Sequence, residues 1–300
     1  MPLRSGRLSR HHAGAEKVNA RAPVPQAAPT HWGAEALWLQ LEPLLPGLTI
    51  EVLPTAPSTN TLLLDRARGA GDVQPCLLVA EDQTAGRGRL GRSWHSRGGA
   101  SLTFTLALPL APADWSGLSL AVGLALAQAL DPPLADAAPR IGLKWPNDLW
   151  LIDGPTASGR GRKLGGILIE TLAVGAQRGA VVGVGLNVLP QPDEGYSQGC
   201  ACLQELDAQA SAPQVLARVA EPLLRALLGF QAAGFAPLAA AYARRDVLRG
   251  CPVSTTLAGL PEGRAEGVDA QGALLLRHGA LHRVVSGEVS VRPLPAAEAR

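Results

Sequence analysis

The stretch from Ala80 to Trp94, A-E-D-Q-T-A-G-R-G-R-L-G-R-S-W, constrains the fold of this chain more than any other. It follows an apolar run, 76 to 80, that is typical of a buried strand. The glycines Gly86, Gly88 and Gly91 alternate with arginines. Glycine permits backbone conformations that turn N–H groups inward, and a guanidinium binds carboxylate or phosphate through paired hydrogen bonds. The pattern favours a loop that closes on an anion over a merely solvated basic loop.

Hydrophobic periodicity divides the chain into two parts. In the first part, strands are predicted at 48–53, 76–80, 101–108, 140–145, 163–170 and 180–186, and helices at 32–45, 61–68, 118–130, 212–230 and 237–245. A turn is expected at 159–162 and a polar loop at 190–200. From Gly250 onward, five short β-like runs are separated by Gly, Asp and Pro, which is typical of a small antiparallel barrel. We therefore expect a domain at 31–249 and a second domain at 250–300.

Composition limits the class of protein. A net charge of +2 gives no indication of nucleic-acid binding, and the apolar segment 118–130 is shorter than the roughly 20 residues of a membrane span. The four cysteines are too scattered for a disulfide framework, so we expect a reduced, cytoplasmic protein. Residues 1–30 carry four arginines and one acid without an apolar core, so they are predicted to be a disordered leader rather than a secretory signal.

Lysine is scarce in this sequence. Only Lys17, Lys144 and Lys163 occur, whereas the total of lysine and arginine is 27. An ammonium group is a compact point charge that a guanidinium fork does not replace in a narrow pocket. Both lysines beyond the leader stand beside Gly, Pro or Trp, so Lys144 is predicted to be a site residue and Lys163 is a second candidate.

The segment Ser58-Thr59-Asn60 has the side chains of a helix N-cap, because small hydroxyl and amide groups precede an apolar helix there. The same groups beside the positive end of a helix are also suited to binding a polar ligand. The sequence leaves both interpretations open.

Several motifs, taken in chain order, resemble those of the biotin protein ligases. They are Ser58-Thr59-Asn60, Gln83 to Arg89, Trp94, Lys144-Trp-Pro-Asn-Asp148, Lys163-Leu-Gly-Gly-Ile-Leu-Ile-Glu170 and Gly185-Leu-Asn187. The resemblance extends from about Thr55 to Arg292. It implies an α+β catalytic domain, a mixed β-sheet with helices packed on it like that of class II aminoacyl-tRNA synthetases, and a C-terminal SH3-like β-barrel.

The resemblance also implies an activity. A member of the family activates biotin with ATP and Mg²⁺ to biotinyl-5'-AMP, and then transfers biotin to a lysine of a biotin carboxyl carrier protein such as that of acetyl-CoA carboxylase. By the same resemblance, Lys144 and Arg89 are the catalytic residues. Biotin binding falls to Ser58, Thr59, Asn60, Gln83, Arg87, Gly88, Arg89 and Lys144, and nucleotide binding to Arg87, Arg89, Trp94, Asn147, Gly165, Gly166 and Asn187. The Mg²⁺ ligands are not identified.

Two positions depart from the family pattern. Leu90 stands where a second consecutive arginine is frequent, and Cys200 follows Gln198-Gly199 where some members have tryptophan, which puts adenine stacking by that loop in question. The leader is too short and irregular for the winged helix of the repressor members, so we expect no DNA binding. We expect a monomer or homodimer without a membrane anchor. The alternatives are a lipoate or octanoate ligase on the same fold and a basic-loop nucleic-acid-binding module.

Overall fold

A computed structural model describes residues 30–133, 137–153, 161–191, 199–285 and 289–294. The predicted leader lies outside these residues except for Thr30, and the predicted segments at 159–162 and 190–200 are described only in part. One compact unit begins at Trp32 and contains both β-sheets of the chain. In the described ranges, no helix is both long and apolar enough to cross a membrane.

The first sheet has seven strands. They are β1 Thr49–Ala56, β2 Cys76–Gln83, β3 Ser101–Pro109, β4 Ile141–Lys144, β5 Asp148–Leu151, β6 Arg162–Val174 and β7 Gln177–Asn187. Their order is β1-β2-β3-β7-β6-β5-β4. β1 and β2 are parallel, and every other neighbouring pair is antiparallel. The predicted mixed sheet is therefore confirmed.

Helices cover both faces of this sheet. They are α1 Ala34–Leu41, α2 Thr59–Ala70, α3 Leu118–Leu130, α4 Ala212–Ala233 and α5 Ala239–Ala243. Successive strand residues point to opposite faces. Accordingly, Leu77 and Val79 of β2 belong to the large core that includes α3 and α4, whereas Leu78 packs with Leu63 and Leu64 of α2. The helix α2 thus packs on the face that carries the candidate site, opposite to α3 and α4.

Two predicted elements differ from the structure in ways that bear on the site or on the first helix. The helix predicted to reach residue 45 ends at Leu41, because Pro43 has no backbone N–H with which to continue the helical hydrogen bonds. The single strand predicted at 140–145 is one arm of a hairpin whose second arm is β5, with Lys144 paired to Asp148. Trp145, Pro146 and Asn147 form the turn, and the Trp145–Pro146 peptide is cis. The second arm was missed because β5 is only four residues long.

The second sheet is small and antiparallel. Its strands are β8 Pro252–Thr255, β9 Glu262–Val268, β10 Leu274–His278, β11 Ala280–Val284 and β12 Val291–Pro293, in the order β11-β10-β9-β8-β12. All four neighbouring pairs are antiparallel, as the C-terminal pattern predicts. Among the described residues no ladder joins β11 to β12, so barrel closure stays a prediction.

Candidate active site

A cleft of about 430 Å³ lies at the N-terminal end of α2. Its walls come from the start of α2, the loop after β2, the β4–β5 hairpin, β6, β7 and the segment 289–292 before and within β12. Of the predicted site residues, eleven line it: Ser58, Thr59, Asn60, Gln83, Arg87, Gly88, Arg89, Trp94, Lys144, Asn147 and Gly166. The fold thus brings together motifs that are widely separated in the sequence.

A polar cluster formed by Ser58, Thr59 and Gln83 lies in this cleft. The Ser58 hydroxyl accepts a hydrogen bond from Thr61 N at 3.4 Å, so the N-cap interpretation is confirmed. The Gln83 Oε1 atom accepts from Thr59 N at 2.8 Å and from Thr59 Oγ1 at 3.1 Å. Because both donors approach Oε1, the amide is held in one orientation, with its Nε2 donor directed away from Thr59.

Asn60 supports the cleft wall from behind. Its Nδ2 donates to Leu168 O and to Glu170 Oε2, each at 3.1 Å, and its Oδ1 accepts from the Thr105 hydroxyl at 2.7 Å. The side chain is buried, and its donors and its acceptor all have partners within the protein. Asn60 therefore fixes neighbouring residues, and its predicted contact with biotin stays a prediction.

Two glycines of β7 make room for these side chains. A Cβ atom at Gly183 would lie 2.1 Å from Asn60 Oδ1, and one at Gly185 would lie 2.4 Å from the Trp94 ring. Residues two positions apart in a strand share one face of the sheet, and for Gly183 and Gly185 this is the face on which α2 packs. The alternation V-G-V-G in β7 is thus explained by the residues that pack over it.

The loop after β2 forms a closed turn over the cleft. Gly88 N donates to Arg92 O at 2.7 Å, and Trp94 N donates to Gly86 O at 2.8 Å. A side chain at Gly86 is excluded, because a Cβ atom would lie 2.4 Å from Trp94 O. Leu90 occupies the left-handed region at φ 58°, which is unusual for a residue with a side chain. We call residues 86–92 the Gly/Arg loop.

Each arginine of the Gly/Arg loop contacts a different element. Arg87 donates to Glu170 of β6 at 3.2 Å, and Arg89 donates to Asn147 Oδ1 at 3.2 Å. Arg92 donates to the hydroxyl of Ser290, the residue before β12, at 3.0 Å. The loop is therefore connected to both sheets of the molecule.

Asp148 joins two lysines into what we call the lysine cluster. Its carboxylate lies 2.9 Å from Lys163 Nζ and 3.5 Å from Lys144 Nζ. Burial lowers the pKa of Lys144, and Asp148 opposes that effect. Burial alone raises the pKa of Asp148, but the two ammonium groups outweigh it and hold that pKa below its ordinary value. The Lys163 side chain is 28% exposed and that of Lys144 is 11% exposed, so Lys163 is the more accessible to a ligand.

Positively charged side chains predominate in the cleft. Among the described lining residues, six are lysine or arginine and one is an acid: Arg87, Arg89, Arg92, Lys144, Lys163 and Arg292, against Asp148. Burial lowers the pKa of Arg89, which still carries its charge at neutral pH. A cleft of this kind favours a polyanionic ligand over a neutral one.

Two predicted nucleotide residues are not lining residues. Asn187 is fully buried, and its Nδ2 donates to Lys163 O at 3.3 Å, Ala201 O at 3.1 Å and Cys200 Sγ at 3.0 Å. Gly165 lies under β7, where a Cβ atom would be 2.5 Å from Gly185 O. The structure gives both residues a packing role beside the cleft.

Trp94 and Cys200 bear on the question of adenine stacking. Lys163 Nζ lies 5.9 Å from the Trp94 ring centroid, and the Trp94 ring rests on Gly185 at the cleft wall. Residues 192–198, which precede Cys200, are not described. Trp94 is therefore the aromatic residue from the predicted nucleotide set that the structure places in the cleft.

Sequence reasoning assigned no individual role to Asp148, Glu170 or the segment 289–292. Asp148 and Glu170 end motifs that were recognised, so charge complementarity with Lys163 and Arg87 is a signal that could have identified them. The segment 289–292 could not have been found, since only the packing of the second sheet brings it to the cleft.

Comparison with known proteins gives consistent matches. The family model described as Biotin/lipoate A/B protein ligase family matches residues 52–187, and the model described as Biotin protein ligase C terminal domain matches residues 258–292. Bifunctional ligase/repressor BirA of Escherichia coli is 37% identical over 256 residues, which cover 83% of this chain and 75% of that protein. Biotin--[acetyl-CoA-carboxylase] ligase of Mycobacterium tuberculosis is 34% identical over 259 residues, covering 85% of this chain and 89% of that protein.

Solved structures agree with these sequence matches. The biotin protein ligase from Aquifex aeolicus in complex with biotin and ATP superposes with a TM-score of 0.65 at 26% identity, and covers 83% of this chain and all of that chain (100%). A point mutant of that ligase in complex with biotin gives a TM-score of 0.67 at 25% identity, and covers 82% of this chain and 99% of that chain.

Proposed function

Because this chain belongs to the biotin protein ligase family, it is a ligase, and we propose that it activates biotin with ATP in the cleft and transfers it to a carrier lysine. The observation that carries the assignment is that one cleft contains both the uncharged polar cluster and the six described lysine and arginine side chains that line it. We call these six side chains, of Arg87, Arg89, Arg92, Lys144, Lys163 and Arg292, the cationic wall. Biotin has a polar ureido ring at one end and a carboxylate at the other, so it matches both.

The polar cluster suits the ring. Gln83 offers its Nε2 donor, since its Oε1 already accepts from Thr59, and the Ser58 hydroxyl can donate while it caps α2. A ureido group presents one carbonyl acceptor and two N–H donors to such residues. An octanoyl chain would leave these buried polar groups without partners, which costs binding free energy. The polar cluster therefore supports biotin over lipoate or octanoate.

The cationic wall suits the first step. A biotin carboxylate oxygen attacks the α-phosphorus of ATP, and the bond from that phosphorus to the bridging oxygen breaks, releasing pyrophosphate. Two anions must approach each other, so fixed positive charge aimed at the phosphorus lowers the barrier. We propose that Lys163 shares the role that the resemblance assigns to Lys144 and Arg89, because Asp148 holds both lysines. Arg89, in the Gly/Arg loop, supplies further positive charge to the same two anions.

Mg²⁺ belongs to the proposal only as a partner of the nucleotide. In the described ranges, no group of three or more His, Cys, Asp or Glu residues could hold a metal ion. Asp148 is the acid that lines the cleft, and both of its oxygens face lysines. Mg²⁺ is commonly bound through substrate phosphates with few protein ligands, so the residues fit an ion carried by ATP, and no step is derived through it.

The second step transfers biotin to the partner. The ε-amine of a carrier lysine attacks the acyl carbon of biotinyl-AMP, AMP leaves, and the amine loses a proton. The mixed anhydride hydrolyses in water, so the Gly/Arg loop, closed over the cleft, protects it. We also propose a cytoplasmic location, because the buried Cys76 and Cys202 are thiols rather than halves of a disulfide.

Transfer to a carrier domain tests this function. The purified protein, biotin, ATP and Mg²⁺ are incubated with an isolated biotin carboxyl carrier domain, and the mass of that domain is measured. We expect the addition of one biotin, and no addition when the carrier lysine is replaced by arginine. An unmodified carrier domain, under conditions where a characterised ligase modifies it fully, would refute the assignment.

A further inference from the structure

The turn of the β4–β5 hairpin holds the lysine cluster from one side. Lys144 precedes this turn and Asp148 follows it. Between them, Trp145 is fully buried, with 0% of its surface exposed. The indole of Trp145 is therefore embedded in the protein, and its contacts restrain where both charged neighbours lie.

The partner of this indole comes from the second sheet. Trp145 Nε1 donates to Gly272 O at 3.0 Å, and Gly272 lies in the turn between β9 and β10. A hydrogen bond between buried groups is specific, because loss of either partner leaves the other unsatisfied. The second sheet thus contacts the lysine cluster through one bond from a residue adjacent to Lys144.

The turn 269–273 is built to hold that carbonyl in place. Asp269 Oδ1 accepts from Gln271 N at 2.9 Å and from Ala273 N at 2.8 Å. Gly272 has φ 79°, and a Cβ atom there would lie 2.7 Å from Gly117 Cα and 3.0 Å from Leu120. A residue other than glycine would therefore move the turn away from the start of α3.

Two other segments restrain the same hairpin through three hydrogen bonds. The Ser119 hydroxyl of α3 donates to Pro146 O at 3.0 Å. Leu143 N donates to Arg245 O at 2.7 Å, and Val247 N donates to Leu143 O at 3.1 Å, so the chain that leads into the second sheet pairs with β4. The hairpin is thus gripped by α3 and by the segment 245–247, and the Trp145 bond is its direct connection to the second sheet.

We propose that the turn 269–273 is a positioning element of the ligase reaction, with Trp145 and Gly272 as positioning residues for Lys144 and Asp148. The proposal rests on the function given above and assigns the second sheet a role in the first chemical step. Reacting groups must be held within a fraction of an ångström of the productive geometry, so a small displacement of the hairpin slows the chemistry.

The test compares three variants in biotin-dependent ATP–pyrophosphate exchange. Trp145→Phe keeps an aromatic ring and removes the N–H donor, and Gly272→Ala displaces the carbonyl. Trp38→Phe is the control, since Trp38 Nε1 donates to Leu48 O at 2.8 Å and neither residue lines the cleft. We expect Trp145→Phe to lower kcat about tenfold with the KM for biotin within about twofold of wild type, and Trp38→Phe to change neither.

The double variant separates positioning from general destabilisation. If both single variants lose kcat because they lose the same Trp145–Gly272 hydrogen bond, the double variant Trp145→Phe with Gly272→Ala is about as slow as the slower single variant. The effects of substituting two residues in contact are not additive. A kcat for Trp145→Phe equal to that of Trp38→Phe, even with a lower melting temperature, would overturn the proposal. Multiplied losses in the double variant would also overturn it. If Gly272→Ala does not fold, the comparison of the two tryptophan variants decides. Absence of exchange in the wild type would instead refute the proposed function.

Discussion

At the scale of single residues, Asp148 determines what the two lysines can do. It lies between them, so one carboxylate offsets half of their positive charge until an anionic ligand arrives. Lys144 is the more deeply placed, and its ammonium group lies 5.4 Å from the Trp150 ring centroid. A planar guanidinium has neither the size nor the hydrogen-bond directions for this space.

We expect Lys144→Arg to lose at least about tenfold in biotin-dependent ATP–pyrophosphate exchange although the charge is kept. The control is Arg66→Lys, which exchanges the same two side chains in an exposed pair with Glu51. Exchange by Lys144→Arg within about twofold of wild type would exclude Lys144 from the site.

Arg89 is expected to act differently, because it belongs to a loop over the cleft and faces anions in both steps. Loss of a charge-assisted hydrogen bond to a buried anion costs roughly 1.5–3 kcal/mol, or about ten- to hundredfold. Arg89→Ala should therefore release biotinyl-AMP, which acylates bystander lysines. A streptavidin blot of carrier domain mixed with serum albumin should show label on both proteins.

Arg68→Ala is the control for this experiment, since Arg68 is exposed on α2 with Asp65 as its partner. It should label the carrier alone, as the wild type does. If Arg89→Ala is slower but still labels only the carrier, Arg89 serves the first step and does not retain the intermediate.

Sequence alone predicted much of the site at this scale, and the reason is local. Arg87, Arg89 and Lys144 lie in motifs whose residue types already indicate anion binding, and the family resemblance adds Gln83. The internal hydrogen bonds of Asn60 and Asn187 could not be predicted, because an amide that binds ligand and an amide that binds backbone look alike in a sequence. Only the partners of their Nδ2 atoms distinguish them.

At the scale of elements, the Gly/Arg loop is connected by few side chains. Arg87 is exposed and its bond to Glu170 is a surface ion pair, which contributes little to stability. A loop held in this way opens at low cost, and ligand anions add contacts to it only when it is closed.

We expect trypsin to cut the free protein after Arg87, Arg89 or Arg92, and biotin with ATP to protect these bonds together. ATP alone and lipoate with ATP are the controls, and neither should protect fully. Cleavage at equal rates in all four conditions would show that the loop does not close on the intermediate.

The strands and helices were predictable where the pattern is strong and long. The apolar helix 118–130 has the same bounds in the structure as in the prediction. The hairpin that carries Lys144 and Asp148 was not predictable, because a four-residue arm does not show an alternation. The reason for the glycines of β7 could likewise not be predicted from the sequence, since the side chains that fill their space come from α2 and from the loop after β2.

At the scale of the whole molecule, the segment that joins the two sheets contains a buried acid. Asp246 Oδ1 accepts from Leu248 N at 2.9 Å, and its Oδ2 has no partner among the described residues. Burial raises the pKa of Asp246 from 3.8 to about 6. A raised carboxyl pKa means that stability is lost as pH rises from about 4 to about 6, and the loss persists above that range.

Asp246→Asn should therefore stabilise the protein at neutral pH. Two pKa units correspond to about 3 kcal/mol, so we expect the free energy of unfolding in urea to rise by on the order of 1–3 kcal/mol at pH 7.5. The gain should shrink at pH 4.5. Asp65→Asn, at an exposed position of α2, is the control. A gain that is equal at both pH values would contradict an ionised, buried Asp246.

The central claim is that the polar cluster selects biotin and the cationic wall activates it. ATP–pyrophosphate exchange that depends on the added carboxylic acid tests this claim most directly. The measurement compares biotin, lipoate and octanoate at equal concentrations with the same protein. We expect kcat/KM for biotin to exceed that for either fatty acid by about a hundredfold or more, because neither replaces the hydrogen bonds of Gln83 and Ser58. Exchange with lipoate or octanoate as fast as with biotin would contradict the assignment of the cleft.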